Sequence, residues 1–212
     1  MEFADLLYQV SDLPVFSSAL LQAGDVDRAN IQKQLSRWTA AKKLLKLRRG
    51  LYVLAEPYRQ KDPQPFLIAN RLISPSYVSL QSALAYYDLI PESVPQVLSI
   101  TSKIRSKVIE TPLGSFRYRN IQTNLFFGFQ LVELGAGQSA YLARPEKALL
   151  DLIYLTKQGH TAAYLDSLRL QNLNQLDLHW MARTAQDIGV MKLEKAVNYL
   201  CTIANREELS QL

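Results

Sequence analysis

Residues 25–54, DVDRANIQKQLSRWTAAKKLLKLRRGLYVL, constrain the fold most, because a helical period passes directly into a strand period there. Ile31, Leu35 and Trp38 fall at i, i+4 and i+7, one apolar stripe on a helix that Asp25 or Asp27 can cap. At about 100° per residue, Lys33, Ser36, Arg37 and Lys43 point away from that stripe, with Asn30 and Gln32 flanking them. Lys42 projects back into the stripe, so the helix should end near Ala41. Leu45-Lys46-Leu47-Arg48 and Leu51-Tyr52-Val53-Leu54 then alternate as two short strands around Arg49-Gly50, where glycine supplies the positive φ of a tight hairpin. Helix followed by hairpin is the outline of a winged helix-turn-helix.

An amphipathic helix with lysines outside is also what any solvated helix looks like, so charge has to separate the two readings. From Arg28 to Lys61 the basic residues are Arg28, Lys33, Arg37, Lys42, Lys43, Lys46, Arg48, Arg49, Arg59 and Lys61, against the single acid Glu56. A one-sided basic field over a helix and the hairpin beside it favours a polyanionic partner, double-stranded DNA. The candidate DNA-binding set is Arg28, Gln32, Lys33, Ser36, Arg37, Lys43, Lys46, Arg48 and Arg49. Arg37 and its neighbours would enter the major groove. Arg48 and Arg49 on the wing would hold phosphate or probe the adjacent minor groove.

The field does not extend over the whole chain. Residues 1–119 carry sixteen Lys and Arg against ten Asp and Glu, and 120–212 carry eight against nine. With 48% hydrophobic positions in 212 residues there is material for two cores. The expected division is a winged helix over 1–57, a linker over 58–65 and a C-terminal domain over 66–212, in α/β form to about 157 and helical over 158–212. Three prolines, Pro57, Pro63 and Pro65, mark the linker. The N-terminal MEFADLLYQVSD has acids where a signal peptide needs positive charge, and no apolar run approaches the roughly 18 residues of a membrane span. The expectation is a cytoplasmic protein with no membrane contact. The single cysteine, Cys201, lies at helical spacing with Val197 and Leu200 and reads as a core thiol rather than a reactive one.

Ahead of the reader, Phe3, Leu6, Leu7 and Val10 predict one helix, and Pro14, Phe16, Leu20 and Leu21 a second that Gly24 can end. Beyond the linker, Phe66, Ala69, Asn70 and Ile73 predict a helix closed by Ser74-Pro75, and Ser79 caps another through Tyr87. A small antiparallel sheet is expected from 97–101, 107–111, 115–121 and 126–134, and Pro145 starts a helix that opens the helical part. The fold class is therefore α+β. Lys103, Arg105, Lys107, Arg117 and Arg119 form a second basic cluster in the sheet region. It could extend the DNA footprint, face a partner, or be the wet side of the sheet.

The residues supply no recognisable catalytic or cofactor-binding motif. Gly135-Ala136-Gly137-Gln138-Ser139-Ala140 spells a dinucleotide loop but runs into Pro145 without opening a helix, so a hairpin turn is expected. His160 and His179 have no second His or Cys at ligand spacing, so no metal or other cofactor is expected. Every lysine has a non-acidic residue two positions before it, which removes the E-x-K element of metal-dependent nucleases, and Asp151, Asp166 and Glu194 read as helix surface. No catalytic residue is assigned and a non-enzyme is expected.

Four segments in order resemble a known family: Gln34-Leu35-Ser36-Arg37-Trp38, Leu47 through Ala55, Pro75 through Leu84 with Ile90-Pro91-Glu92, and Pro145-Glu146-Lys147-Ala148-Leu149-Leu150-Asp151. Together they are similar to the AbiEi antitoxins of bacterial abortive-infection systems, over about residues 30–155. The resemblance implies a winged-helix autorepressor that binds inverted repeats in its own promoter, as a dimer or as two cooperating monomers. It further implies a C-terminal domain that counters a co-encoded nucleotidyltransferase-like toxin in phage defence, a toxin–antitoxin system in which the family description disfavours a tight complex. Arg37, Arg48 and Arg49 match the family's basic winged-helix positions, while Lys42 stands where such domains often carry glycine. The last fifty residues match no motif. The alternative is a stand-alone winged-helix regulator whose second domain binds another partner or ligand.

Overall fold

The computed structural model describes residues 1–22 and 27–210. Its fold is mixed α+β, and the first element is α1 (Phe3–Val10), where the Asp5 carboxylate accepts the free Glu2 N–H at 2.7 Å. The second helix expected over 14–21 is not formed. Phe16–Ser17 is strand β1, and a 3₁₀ turn covers Leu20–Gln22. Phe16 pairs with Tyr52 and stacks on its ring, centroids 5.9 Å apart, so a cross-strand aromatic contact overrides the helical spacing. Gly24 and Asp25 lie outside the described residues.

Helix α2 (Arg28–Ala40) is capped by Asp27, whose side chain accepts the Ala29 N–H at 2.9 Å. It ends where the stripe ends, and Lys42 takes the left-handed conformation, φ 56°. A lysine there costs on the order of 1 kcal/mol. The turn is closed by Lys43 N–H donating to the Trp38 carbonyl at 2.9 Å. Strands β2 (Leu44–Arg48) and β3 (Leu51–Leu54) follow, and the three-stranded antiparallel sheet has the order β1-β3-β2. At the hairpin turn Gly50 has φ 77°, its carbonyl accepts the Ser18 N–H at 2.9 Å, and a Cβ would sit 3.3 Å from Ser18 Oγ. The positive φ favours glycine there, and any Cβ would also displace the Ser18 hydroxyl slightly.

All four residues of β3 are buried, because the hairpin has a core on each side. Leu44, Tyr52 and Leu54 pack with Leu6, Val10, Ile31 and Leu35, whereas Leu47, Leu51 and Val53 join the larger core of the following residues. Burying each such aliphatic side chain contributes roughly 1.5–3 kcal/mol. In the proline-rich run, Arg59 pairs with Glu56 at 2.9 Å and Asp62 at 2.6 Å, and buried Gln138 bonds the Asp62 carbonyl and the Gln64 N–H.

The larger core is organised by six strands: β4 (Tyr77–Val78), β5 (Val97–Thr101), β6 (Lys107–Thr111), β7 (Gly114–Asn120), β8 (Phe129–Gly135) and β9 (Gln138–Ala143). Their order is β6-β7-β5-β4-β9-β8. The expected small antiparallel sheet is thus a mixed one, since β5 pairs with β7 and β4 with β9 in parallel. The reason is topological: β6 crosses to the edge and β7 folds back between it and β5. Ala136 and Gly137 carry positive φ in the β8–β9 hairpin, the turn expected at that glycine pair.

Helix α3 (Pro65–Leu72) lies on one face, where the Tyr118 hydroxyl donates to the Ala69 carbonyl at 2.7 Å. On the other face Arg119 reaches the Leu155 carbonyl of α5 (Pro145–Leu155) at 3.3 Å. Around α5 pack α4 (Leu80–Tyr86), α7 (Leu178–Ile188) and α8 (Met191–Ser210), with the short α6 (Ala162–Ser167) against α8. Cys201 is half-buried beside the core rather than fully within it. Among the described residues no helix is long and apolar enough to cross a membrane.

Candidate nucleic-acid interface

The apolar stripe of α2 faces inward through Ile31 and Leu35, which turns Gln32, Lys33 and Ser36 outward. The hairpin stands beside this outward face, and between them runs an open groove. Its helix wall is Ala29, Gln32, Lys33, Ser36, Thr39 and Ala40; its hairpin wall is Lys46, Arg49, Gly50 and Tyr52, with Ser18 at the end. Lys33, Lys46 and Arg49 are exposed, so their charges stay hydrated and available to an anion. Five of the expected residues, Gln32, Lys33, Ser36, Lys46 and Arg49, thus line one groove.

The other four are placed elsewhere. Arg28 and Arg37 are exposed on α2 outside the groove. Lys43, expected to point outward from the helix, follows its end and is half-buried, its ammonium 4.5 Å from the centre of the Phe3 ring. Arg48 occupies the hairpin's other face. A register shift between Lys46 and Arg48 sets it opposite Leu51, and its guanidinium donates to the Arg49 carbonyl at 3.2 Å and to the Arg71 carbonyl of α3 at 3.4 Å.

The second basic cluster is not brought onto one face. Lys107 pairs with Tyr118 and Val108 with Arg117, so Lys107 lies on the α3 side while Arg117 and Arg119 lie opposite. Arg117 donates to Gln96 Oε1 at 2.6 Å, and Arg119 is half-buried. Lys103 and Arg105 are exposed in the β5–β6 connection.

Sequence reading missed Tyr52, whose ring is buried against Phe16 yet whose edge forms part of the groove. Burial pushes its hydroxyl pKa up, so it remains a donor at neutral pH. The plain two-residue turn read from sequence sets Tyr52 opposite Leu47, and only the bulge between Lys46 and Arg48 brings it across from Lys46.

A buried polar centre was also missed. Asp151, expected on a helix surface, is 1% exposed: it pairs with buried Lys147 and accepts from the Tyr77 hydroxyl at 2.9 Å and the Ser79 hydroxyl at 2.8 Å. Ser79 therefore holds Asp151 instead of capping α4 with its side chain. The Lys147 ammonium also donates to the Tyr77 hydroxyl at 3.0 Å and sits 5.1 Å from the Phe127 ring centre. Gly128, φ 73°, presses on its stem, where a Cβ would come within 3.0 Å. Of the other two acids, Asp166 is exposed and accepts from Tyr199, and Glu194 is half-buried. A comparison of the chain with protein-family models gives no match, and a comparison with curated proteins gives none.

Proposed function

We propose that the chain is a DNA-binding transcriptional regulator in which residues 1–57 act as a winged helix-turn-helix. Helix α2 is the reader and the β2–β3 hairpin the wing. The observation that carries this reading is the groove in which Gln32, Lys33, Ser36, Lys46 and Arg49 converge from two elements. An amide, a hydroxyl and a lysine on one exposed helix face can meet base edges in the major groove, while Lys46 and Arg49 meet backbone phosphates. Arg28 and Arg37 on the same helix extend the basic field. The resemblance of residues 30–155 to AbiEi antitoxins supports the finer reading, a cytoplasmic autorepressor that also counters a co-encoded nucleotidyltransferase-like toxin.

The test is equilibrium binding of the full chain to duplex DNA from its own upstream region and to random duplex, over a range of salt. Preference for the upstream duplex of roughly a thousandfold, with affinity falling steeply as salt rises, is the expected result. Equal binding to both duplexes would leave a basic surface without a regulatory site. For the antitoxin role, co-expression with a nucleotidyltransferase encoded directly downstream should restore growth of cells that the enzyme alone arrests.

A further inference from the structure

We infer that the Tyr52 hydroxyl, together with Lys46 and Arg49, forms a phosphate-binding subsite on the hairpin wall of the groove, with Tyr52 as its neutral, fixed donor. The inference rests on the DNA-binding reading for its ligand, a backbone phosphodiester, and on geometry for its residues.

Tyr52 is 8% exposed, and its ring is held by the Phe16 stack and by the core of Leu44 and Leu54. Its hydroxyl has no hydrogen-bond partner among the described residues, and the residue forms part of the groove wall. Buried tyrosine hydroxyls normally find a partner within the protein. Tyr52 lines the groove beside two cations, with Lys46 directly opposite in the ladder and Arg49 at the turn. The ring cannot swing away without leaving Phe16, so the donor is in position before any ligand arrives and little conformational freedom is lost on binding. Lysine and arginine supply charge on flexible stems, whereas Tyr52 supplies direction. A phosphate suits this combination, having several acceptor oxygens and a charge.

Tyr52→Phe removes one oxygen and keeps the stack, so the melting temperature should hold. The affinity of the full chain for duplex DNA should fall about tenfold, alike for upstream and random sequence, with the salt slope unchanged because no charge is lost. Lys46→Ala should lower that slope by about one unit. Equal binding by Tyr52→Phe and wild type at every salt concentration would overturn the subsite while leaving the groove reading intact. NMR of full-length protein labelled at tyrosine Cζ, titrated with inorganic phosphate, separates the two ideas. The Tyr52 signal, assigned by its loss in Tyr52→Phe, should move in wild type and move less in Lys46→Ala. If it moves while duplex DNA fails to bind, the subsite stands and the DNA reading falls; if it stays still under phosphate, the subsite falls.

Discussion

Charged side chains in the groove and charged side chains around α5 obey opposite rules. Lys33, Lys46 and Arg49 are exposed, with hydrated charges that cost nothing to hold and remain free for a ligand. Lys147 and Asp151 are each 1% exposed, and their side chains turn to each other and to the Tyr77 and Ser79 hydroxyls in place of water; burial pushes the Asp151 carboxyl up, and the Lys147 ammonium with the two hydroxyls opposes that rise. On the proposed reading the first group serves a partner, whereas the second serves the fold. The difference teaches that a basic run in sequence reports function only where the side chains stay wet.

The buried pair should give the largest effect. Asp151→Ala leaves an ammonium buried without a counter-charge and should cost about 3–5 kcal/mol, read as a lower denaturation midpoint. The double substitution Lys147→Met with Asp151→Leu removes both charges and should recover most of that loss. If the single variant costs less than about 1 kcal/mol, water reaches the site and the contrast with the groove collapses.

Lys147 and Asp151 also show why part of the fold was illegible. Their i, i+4 spacing is that of an ordinary surface ion pair, and nothing in it reveals that Tyr77, on a two-residue strand seventy positions earlier, folds over them. Short strands such as β1 and β4 carry no period to detect, so Phe16 and Tyr77 declare themselves only through long-range pairing. By contrast α2 and its hairpin were legible because their pattern is local: Ile31 and Leu35 set the helix phase, Asp27 its start, and Gly50 the turn. Lys42 was legible for the same reason, as a side chain that could not continue the helix. Within the site the helix wall followed from periodicity, but Arg48 did not, since a bulge after Lys46 carries it to the far face.

That bulge supplies the intermediate test, because Arg48 and Arg49 are neighbours with different duties. Arg49→Ala should change stability by less than about 0.5 kcal/mol, yet lower the salt slope of DNA binding by about 0.9. Arg48→Ala should do the reverse. Loss of its bonds to the Arg49 and Arg71 carbonyls should cost about 0.5–1 kcal/mol, with the slope nearly unchanged. Denaturant titration and binding measured on the same two proteins would read both numbers. Equal slope losses would mean that Arg48 leaves α3 for phosphate when DNA binds, and the hairpin's two faces would then share one role.

The smallest effect should come from the exposed contact between Arg169 and Glu92, which tests whether a wet ion pair outside the groove contributes at all. Arg169 donates through Nε at 3.0 Å and through a second nitrogen, and these bonds hold the Glu92 carboxyl below its ordinary value. A carboxyl lowered in the folded protein contributes stability above its unfolded value, about 4.5, and loses it as pH falls through the lowered one. Arg169→Ala should therefore melt slightly below wild type at neutral pH and converge with it as the solution is acidified past that range. Added salt should erase the difference at neutral pH, since both side chains are solvated. A gap that persisted in acid or in high salt would show that Arg169 acts through packing rather than charge. The division between wet charges for partners and dry charges for the fold would then need a third kind of contact.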